Sequence, residues 1–184
     1  FNALTFFFYN QILGLPADLA GIAVFIAIVF DAITDPIMGS ISDRFRSKYG
    51  RRHPFMFVAP GPILIALFFI FNPPDSVNTT FELFVWYTFF TVLLRASLTL
   101  FTVPHLALGA ELSDDYDERS KVMSYNVLFG YVGVVFMHVF AWFVIFNNFE
   151  GGQRNIEAYT PILIYASFLI LFSLLASAWF TKDQ

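Results

Sequence analysis

The chain has 184 residues, of which 58% are hydrophobic, 20% aromatic and only 13% charged, with a net charge of −4. A soluble domain carries about 25% charged residues, and in water most of this Phe, Leu and Ile would have nowhere to be buried, so a soluble reading is excluded. Cysteine is absent, which removes a disulfide frame and any thiolate metal site.

Six apolar segments are expected as helices. The first, residues 1–13, is shorter than the roughly 20 residues a span needs and reads as the end of a truncated helix. No signal peptide is visible, and Phe1 already lies in apolar sequence. Gly14 and Pro16 mark a tight turn. The second helix runs over about 19–40, followed by a polar loop to His53. The third covers about 54–71 and ends at Asn72-Pro73-Pro74-Asp75. The fourth spans about 81–108. An acidic loop, 111–120, leads to the fifth at 122–146, and a Gly-containing loop, 147–158, leads to the sixth at 159–180. The expected fold is an all-α polytopic membrane bundle of six helices.

Charge placement gives the orientation. Arg44, Arg46, Lys48, Arg51 and Arg52 follow the second helix, Arg119 and Lys121 follow the fourth, and Lys182 follows the sixth. Lys and Arg resist translocation, so these eight of the ten basic residues are expected in the cytoplasm, with both ends of the unit. Arg154 lies in an opposite loop and Arg95 inside the fourth helix.

The most informative run is Phe30-Asp31-Ala32-Ile33-Thr34-Asp35-Pro36, set in an otherwise apolar helix. Asp31 and Asp35 stand at i and i+4, on one helix face. An ionised carboxylate inside a bilayer is costly and needs a cation, a proton or a basic partner. Two carboxylates and the Thr34 hydroxyl supply hard oxygen ligands suited to Na⁺. Like charges in low dielectric oppose joint ionisation, so the pair is expected to hold a cation or share a proton. Pro36 has no N–H and frees the Ala32 carbonyl as a further ligand. The alternative is a structural ion pair with Arg95.

Arg95 in mid-membrane needs an acid, and Asp31 and Asp35 are the only acids deep inside the expected spans, Glu82 standing at the edge of the fourth. Arg95, Thr99 and Thr102 share one face of the fourth helix, so pairing across the second and fourth helices is expected. For the threonines, back-bonding to their own helix is an equal alternative. Gly39-Ser40-Ile41-Ser42-Asp43-Arg44, running on to Gly50-Arg51-Arg52, reads as a gating loop in which Asp43 and the arginines pair in one conformation and release in the other. A plain positive-inside anchor is the bland counterpart. The acids of Asp115-Tyr116-Asp117-Glu118 are placed to cap the fifth helix, where the dipole favours negative charge. Gly130 and Gly133 are expected to allow close helix packing. His105 and His138 read as structural. Asn78-Thr79-Thr80 fits a glycosylation sequon. No nucleophile–base triad, zinc site or phosphate loop is present, so neither an enzyme nor a nucleic-acid binder is expected.

Three motifs occur in order: Asp31-x-x-x-Asp35-Pro36-x-x-Gly39, then Asp43-Arg44 with Gly50-Arg51-Arg52-x-Pro54, then Pro104-x-x-Ala107-Leu108 with Glu111-Leu112 and Asp115-Tyr116-x-Glu118-Arg119. Together they resemble the glycoside–pentoside–hexuronide:cation symporters, the melibiose-permease-type branch of the major facilitator superfamily. The resemblance covers nearly the whole chain, as an N-terminal six-helix half. It implies an inner-membrane symporter that moves a small sugar with Na⁺ or H⁺ by alternating access, its other wall supplied by a C-terminal six-helix half. It places the cation site at Asp31, Thr34, Asp35 and Thr99.

The chain departs from the melibiose type at several points. Thr102 stands where that type has a further acid, Arg95 is an addition, and the sugar-binding acids of the first helix and arginine of the fifth have no counterpart. Asp31, Asp35 and Arg95 leave one net negative charge, which a single proton or monovalent cation neutralises. Lysolipid-carrying relatives share the aspartates of the second helix, which makes an amphiphile the alternative substrate. A non-transporting scaffold or sensor is the rival from another class.

Overall fold

The computed structural model describes residues 2–48, 50–111 and 115–181. Lys182 of the basic set, Leu112 of the third motif and the Glu111 side chain lie outside the described residues. All the regular structure described is helical.

The first segment forms α1 (Asn2–Phe7), which winds on as a π-helical turn over Phe8–Ile12. These eleven residues reach about 16 Å at 1.5 Å each, short of the roughly 30 Å hydrocarbon core. Gly14 takes φ 77°, a conformation that glycine enters without a Cβ clash, and the expected turn follows. Then come α2 (Ala17–Arg44), α3 (His53–Val58), α4 (Pro60–Phe71), α5 (Thr80–Glu111), α6 (Tyr116–Phe140) and α7 (Tyr159–Phe180). The third expected helix is α3 and α4 together. The fifth is α6 extended by irregular turns to Asn148. Among the described residues, five helices are long and apolar enough to cross a membrane.

Two boundaries differ from expectation. The second helix does not stop at Ser40 but continues through Pro36 and Gly39 to Arg44. Pro36 costs one hydrogen bond to the Ala32 carbonyl, yet packing on α5 holds both sides of it helical. Gly39, Asp43 and Arg44 are therefore helical residues, and the connecting loop shrinks to 45–52. The fifth helix starts at Tyr116 rather than Val122, because the Asp115 carboxylate accepts from the N–H groups of Asp117 and Glu118 at 2.7 and 3.1 Å. Capping of this kind satisfies donors that no helical turn can reach. At the opposite end, Thr79 and Glu82 form a reciprocal capping box that starts α5. That contact accounts for Thr79 of the sequon structurally.

The bundle is organised on α5, which takes its most extensive contacts from α2 and α4, while α4 also packs on α7. The inner stripe of α2 is Ala20, Ala23, Ala27, Met38 and Ser42, all buried. Asp31 and Asp35 fall in the gap of that stripe at the same spacing, which turns them toward α5. Aromatic residues pin the short α1. The Tyr9 ring stacks on Tyr87 at 4.1 Å, and its hydroxyl donates to the Ile70 carbonyl at 2.9 Å. Phe8 packs between Phe71 and Tyr159.

By contrast, α6 has no buried residue. Gly130 and Gly133 do not serve close packing as expected: a Cβ built on either meets nothing within 4 Å. They border a cavity of about 610 Å³ between α1, α4, α6 and α7, lined mainly by apolar groups such as Phe7, Phe71, Trp142 and Leu163. The total accessible surface is 11123 Å² for 21.0 kDa, against about 9,000 Å² for a compact soluble monomer of that mass. Lipid tails are as apolar as Leu, so the bundle lacks the pressure that would close such a face in water.

Candidate functional site

Asp31 and Arg95 lie near the midpoints of α2 and α5. The Arg95 guanidinium donates through Nη1 to Asp31 Oδ2, and both side chains are 21% exposed. One turn further on, Thr99 Oγ1 donates to Asp35 Oδ1 at 2.8 Å. One turn beyond that, a Cβ on Gly39 would stand 3.7 Å from Val103 Cγ1. All three pairs are 64 residues apart. A constant offset means that α2 and α5 run parallel and hold one register over three turns. The i, i+4 spacing of Asp31 and Asp35 is matched by that of Arg95 and Thr99, so each polar residue meets one partner.

The two polar rungs differ in kind. The first is a charge pair whose second pair of atoms is unused: Asp31 Oδ1 and Arg95 Nε are buried without a hydrogen-bond partner. A bidentate fork would have satisfied both. The second rung is a carboxylate held by a neutral hydroxyl, with Asp35 exposed. A neutral donor brings no positive charge to this carboxylate.

Thr34 and Thr102 stand apart from the rungs. Thr34 Oγ1 donates to the Phe30 carbonyl at 3.1 Å, and Thr102 Oγ1 donates to the Leu98 carbonyl at 2.9 Å. Both bond back to their own helices. Of the expected cation ligands, the structure joins Asp35 to Thr99 and Asp31 to Arg95. Among the described residues, no three His, Asp or Glu side chains converge as they would around a divalent metal.

At the basic end of the bundle, Arg52 Nη2 donates to Asp43 Oδ1 at 2.9 Å, linking the end of α2 to the start of α3. Arg52 is buried, whereas Asp43 faces solvent. Arg44, Lys48 and Arg51, close to this link in sequence, are exposed. His53 Nε2 meets the Thr181 carbonyl at 2.9 Å, so the start of α3 and the end of α7 share that side. Sequence reasoning missed one polar node: the His105 ring lies 3.3 Å from Ser177 Oγ and 3.4 Å from Asn126 Nδ2. It thus bridges α5, α6 and α7 in a structural role. Asn126 and Ser177, polar residues in apolar runs, were the available signal. His138 lies 2.8 Å from the Val134 carbonyl of its own helix.

Membrane-length helices around a charged seam at mid-span define a polytopic integral membrane protein with a partial major-facilitator-type fold. The sequence matches the family described as MFS/sugar transport protein over residues 1–184, and the chain belongs to that family. It is 36% identical to the uncharacterized symporter sll1374 of Synechocystis sp. over 143 residues, 73% of this chain and 26% of that protein. It is 29% identical to the inner membrane symporter YicJ of Escherichia coli over 180 residues, 97% of this chain and 38% of that protein. Identity to the sodium-dependent lysophosphatidylcholine symporter 1 of Mus musculus is 32% over 119 residues, 63% of this chain and 22% of that protein. The chain therefore spans between a fifth and two fifths of the length of these relatives. The relatives are named as symporters, and the family resemblance drawn from the motifs holds.

Proposed function

We propose that the chain is the N-terminal six-helix unit of a cation-coupled symporter that moves a sugar or glycoside by alternating access. The observation that carries this reading is the pair of polar rungs at the middle of two parallel membrane helices, with one negative charge in excess. An intramembrane ionisable group marks an ion or substrate path. Na⁺ or H⁺ is the coupling ion, held at Asp35 and Thr99 beside Asp31. The family description supports the sugar.

In the cycle, the outward-open protein presents Asp31 and Asp35 to water. A cation neutralises the excess charge, α2 and α5 close up, and substrate binds between this unit and a C-terminal half. The coupling requires the cation to bind the substrate-competent state more tightly. The Asp43–Arg52 link belongs to one conformation and breaks in the other. The basic residues Arg44, Arg46, Lys48, Arg51 and Arg52 support a cytoplasmic side for that end, and the reading sets the unit in the inner membrane of the cell.

The test is substrate uptake into proteoliposomes against Na⁺ and pH gradients, with Asp35→Asn alongside. Uptake that keeps its full ion dependence in this variant sinks the mechanism. A second reading is a lysolipid or similar amphiphile as substrate. The large apolar cavity favours it, as does the likeness to a lysophosphatidylcholine symporter. Competition of sugar uptake by lysolipid, and the reverse, separates the two.

A further inference from the structure

We infer that the apolar cavity between α1, α4, α6 and α7 holds one acyl chain of a resident membrane phospholipid, whose head group rests on the loop before α7. The inference needs the membrane setting alone, and it names an occupant that stays, distinct from any cargo. Depth, opening, lining and rim carry it. The lining starts at Gln153 in that loop and runs down α7 as far as Ile170. Tyr159 begins α7, so the cavity descends about 16 Å at 1.5 Å per residue. That is half of the roughly 30 Å hydrocarbon core, the depth of one leaflet. The loop lies at the end of α7 away from the His53–Thr181 contact and the basic residues beside it. Sideways the cavity opens between α6 and α7, where the lining residues Trp142 and Leu169 are 56% and 42% exposed.

The physical logic is which solvent reaches such a volume. At this depth the surroundings are hydrocarbon, and an apolar cavity does not retain water. Gly130 and Gly133 turn no side chain into the 610 Å³, and a Cβ built on either meets nothing within 4 Å. Walls without partner atoms forfeit dispersion contacts. A neighbouring lipid tail, as apolar as the walls, restores them. The volume falls in the range of small-ligand sites, about 300–1,000 Å³. His138, a polar member of the lining, has its Nδ1 2.8 Å from the Val134 carbonyl. The rim suits a head group. Arg154 follows Gln153 and is exposed, as are Glu150 and Glu157 in the same loop, so both signs of a zwitterionic head find a counterpart. The Tyr159 hydroxyl donates to the Gln153 carbonyl at 2.9 Å, which fixes the loop to the start of α7.

The experiment counts phosphatidylcholine retained by the purified protein after detergent washing, by native mass spectrometry. Ala166→Phe and Gly133→Leu fill the cavity from opposite walls, so one serves where the other fails to fold. Wild type is expected to keep one phosphatidylcholine that both filled variants lose. Diacylglycerol with the same chains should be held about fivefold less well, the worth of one cation beside a phosphate, and Arg154→Gln should erase that preference. Equal retention in wild type and a folded filled variant overturns the inference. A preference for phosphatidylcholine that survives Arg154→Gln overturns the placing of the head group. Proteoliposomes containing fluorescent phosphatidylcholine complete the test. A label that stays in its leaflet supports a resident lipid, whereas one carried across the bilayer by wild type and not by the filled variants makes the lipid cargo and overturns it.

Discussion

The α2–α5 seam and the α6 flank obey different rules. The seam holds one register over three turns through a charge pair, a hydroxyl–carboxylate bond and a glycine contact. The flank contains α6, which buries none of its residues, and it borders an open apolar cavity. Both are built from membrane-length helices of similar apolar content. The difference shows that hydrophobicity brings these helices into the bilayer without telling them how to sit against one another. In lipid there is little solvent pressure between helices, and polar bonds and close shape fit set the register. Where those are present, as along α2, the packing is defined. Where they are sparse, as along α6 beyond the contact of Asn126 with His105, the helix buries none of its residues.

The strongest way to break that contrast is to remove one half of the charge pair. Arg95→Ala or Asp31→Ala leaves a charge in low dielectric without its partner, and the expected loss is about 3 kcal/mol or more. The double variant Asp31→Asn/Arg95→Gln should recover to within about 1 kcal/mol of wild type, because the orphaned charge is gone. Chemical denaturation in detergent or bicelles, run as a double-mutant cycle, measures both. Equal losses in single and double variants would mean that the pair does not set the register.

Next comes Tyr9, which anchors the short α1. Tyr9→Phe removes a buried donor to the Ile70 carbonyl and keeps the stack on Tyr87. About 1–2 kcal/mol is expected, read by the same unfolding measurement. A smaller effect is expected at the second rung. Thr99→Val deletes the bond to Asp35, but water reaches Asp35, so the stability loss stays below about 1 kcal/mol. Cation affinity should nevertheless fall about tenfold if that hydroxyl is a ligand, since tenfold is only about 1.4 kcal/mol. A fall in stability with no fall in affinity would make the rung purely structural.

The seam was largely legible in the sequence. Two acids at i, i+4 and one Arg in apolar runs must find each other, because the alternatives in lipid are too costly. That argument gave the helices that pair, and the family motif gave Thr99. What it left open was which acid takes the Arg. A one-turn slip in register would carry Arg95 to Asp35 and leave Asp31 opposite Thr91, and composition alone does not separate that from the 64-residue offset, which Gly39 against Val103 also shows. Spacing alone did not show that Thr34 and Thr102 each donate to a carbonyl of their own helix. The end of α2 and the start of α6 were misjudged because the polar residues after Ser40 and the polar run after Asp115 read as loop. Packing on α5 and the Asp115 cap override them.

The flank yields the smallest and most discriminating prediction. Gly130 and Gly133 read in the sequence as close-packing residues, and the structure gives a Cβ at either position open space. Glycine costs about 1 kcal/mol relative to alanine inside a helix, so Gly133→Ala is expected to stabilise the protein by roughly half that, measured by thermal unfolding. Gly109 is the control: a Cβ there meets Met123 Cε at 3.1 Å, a contact that a flexible thioether relieves only in part. Gly109→Ala should therefore gain less than Gly133→Ala, or lose. Destabilisation at Gly133 instead would mean that another element covers α6 closely in the assembled protein. In that event the flank would be held by shape fit as the seam is, and the contrast between them would belong to this chain alone.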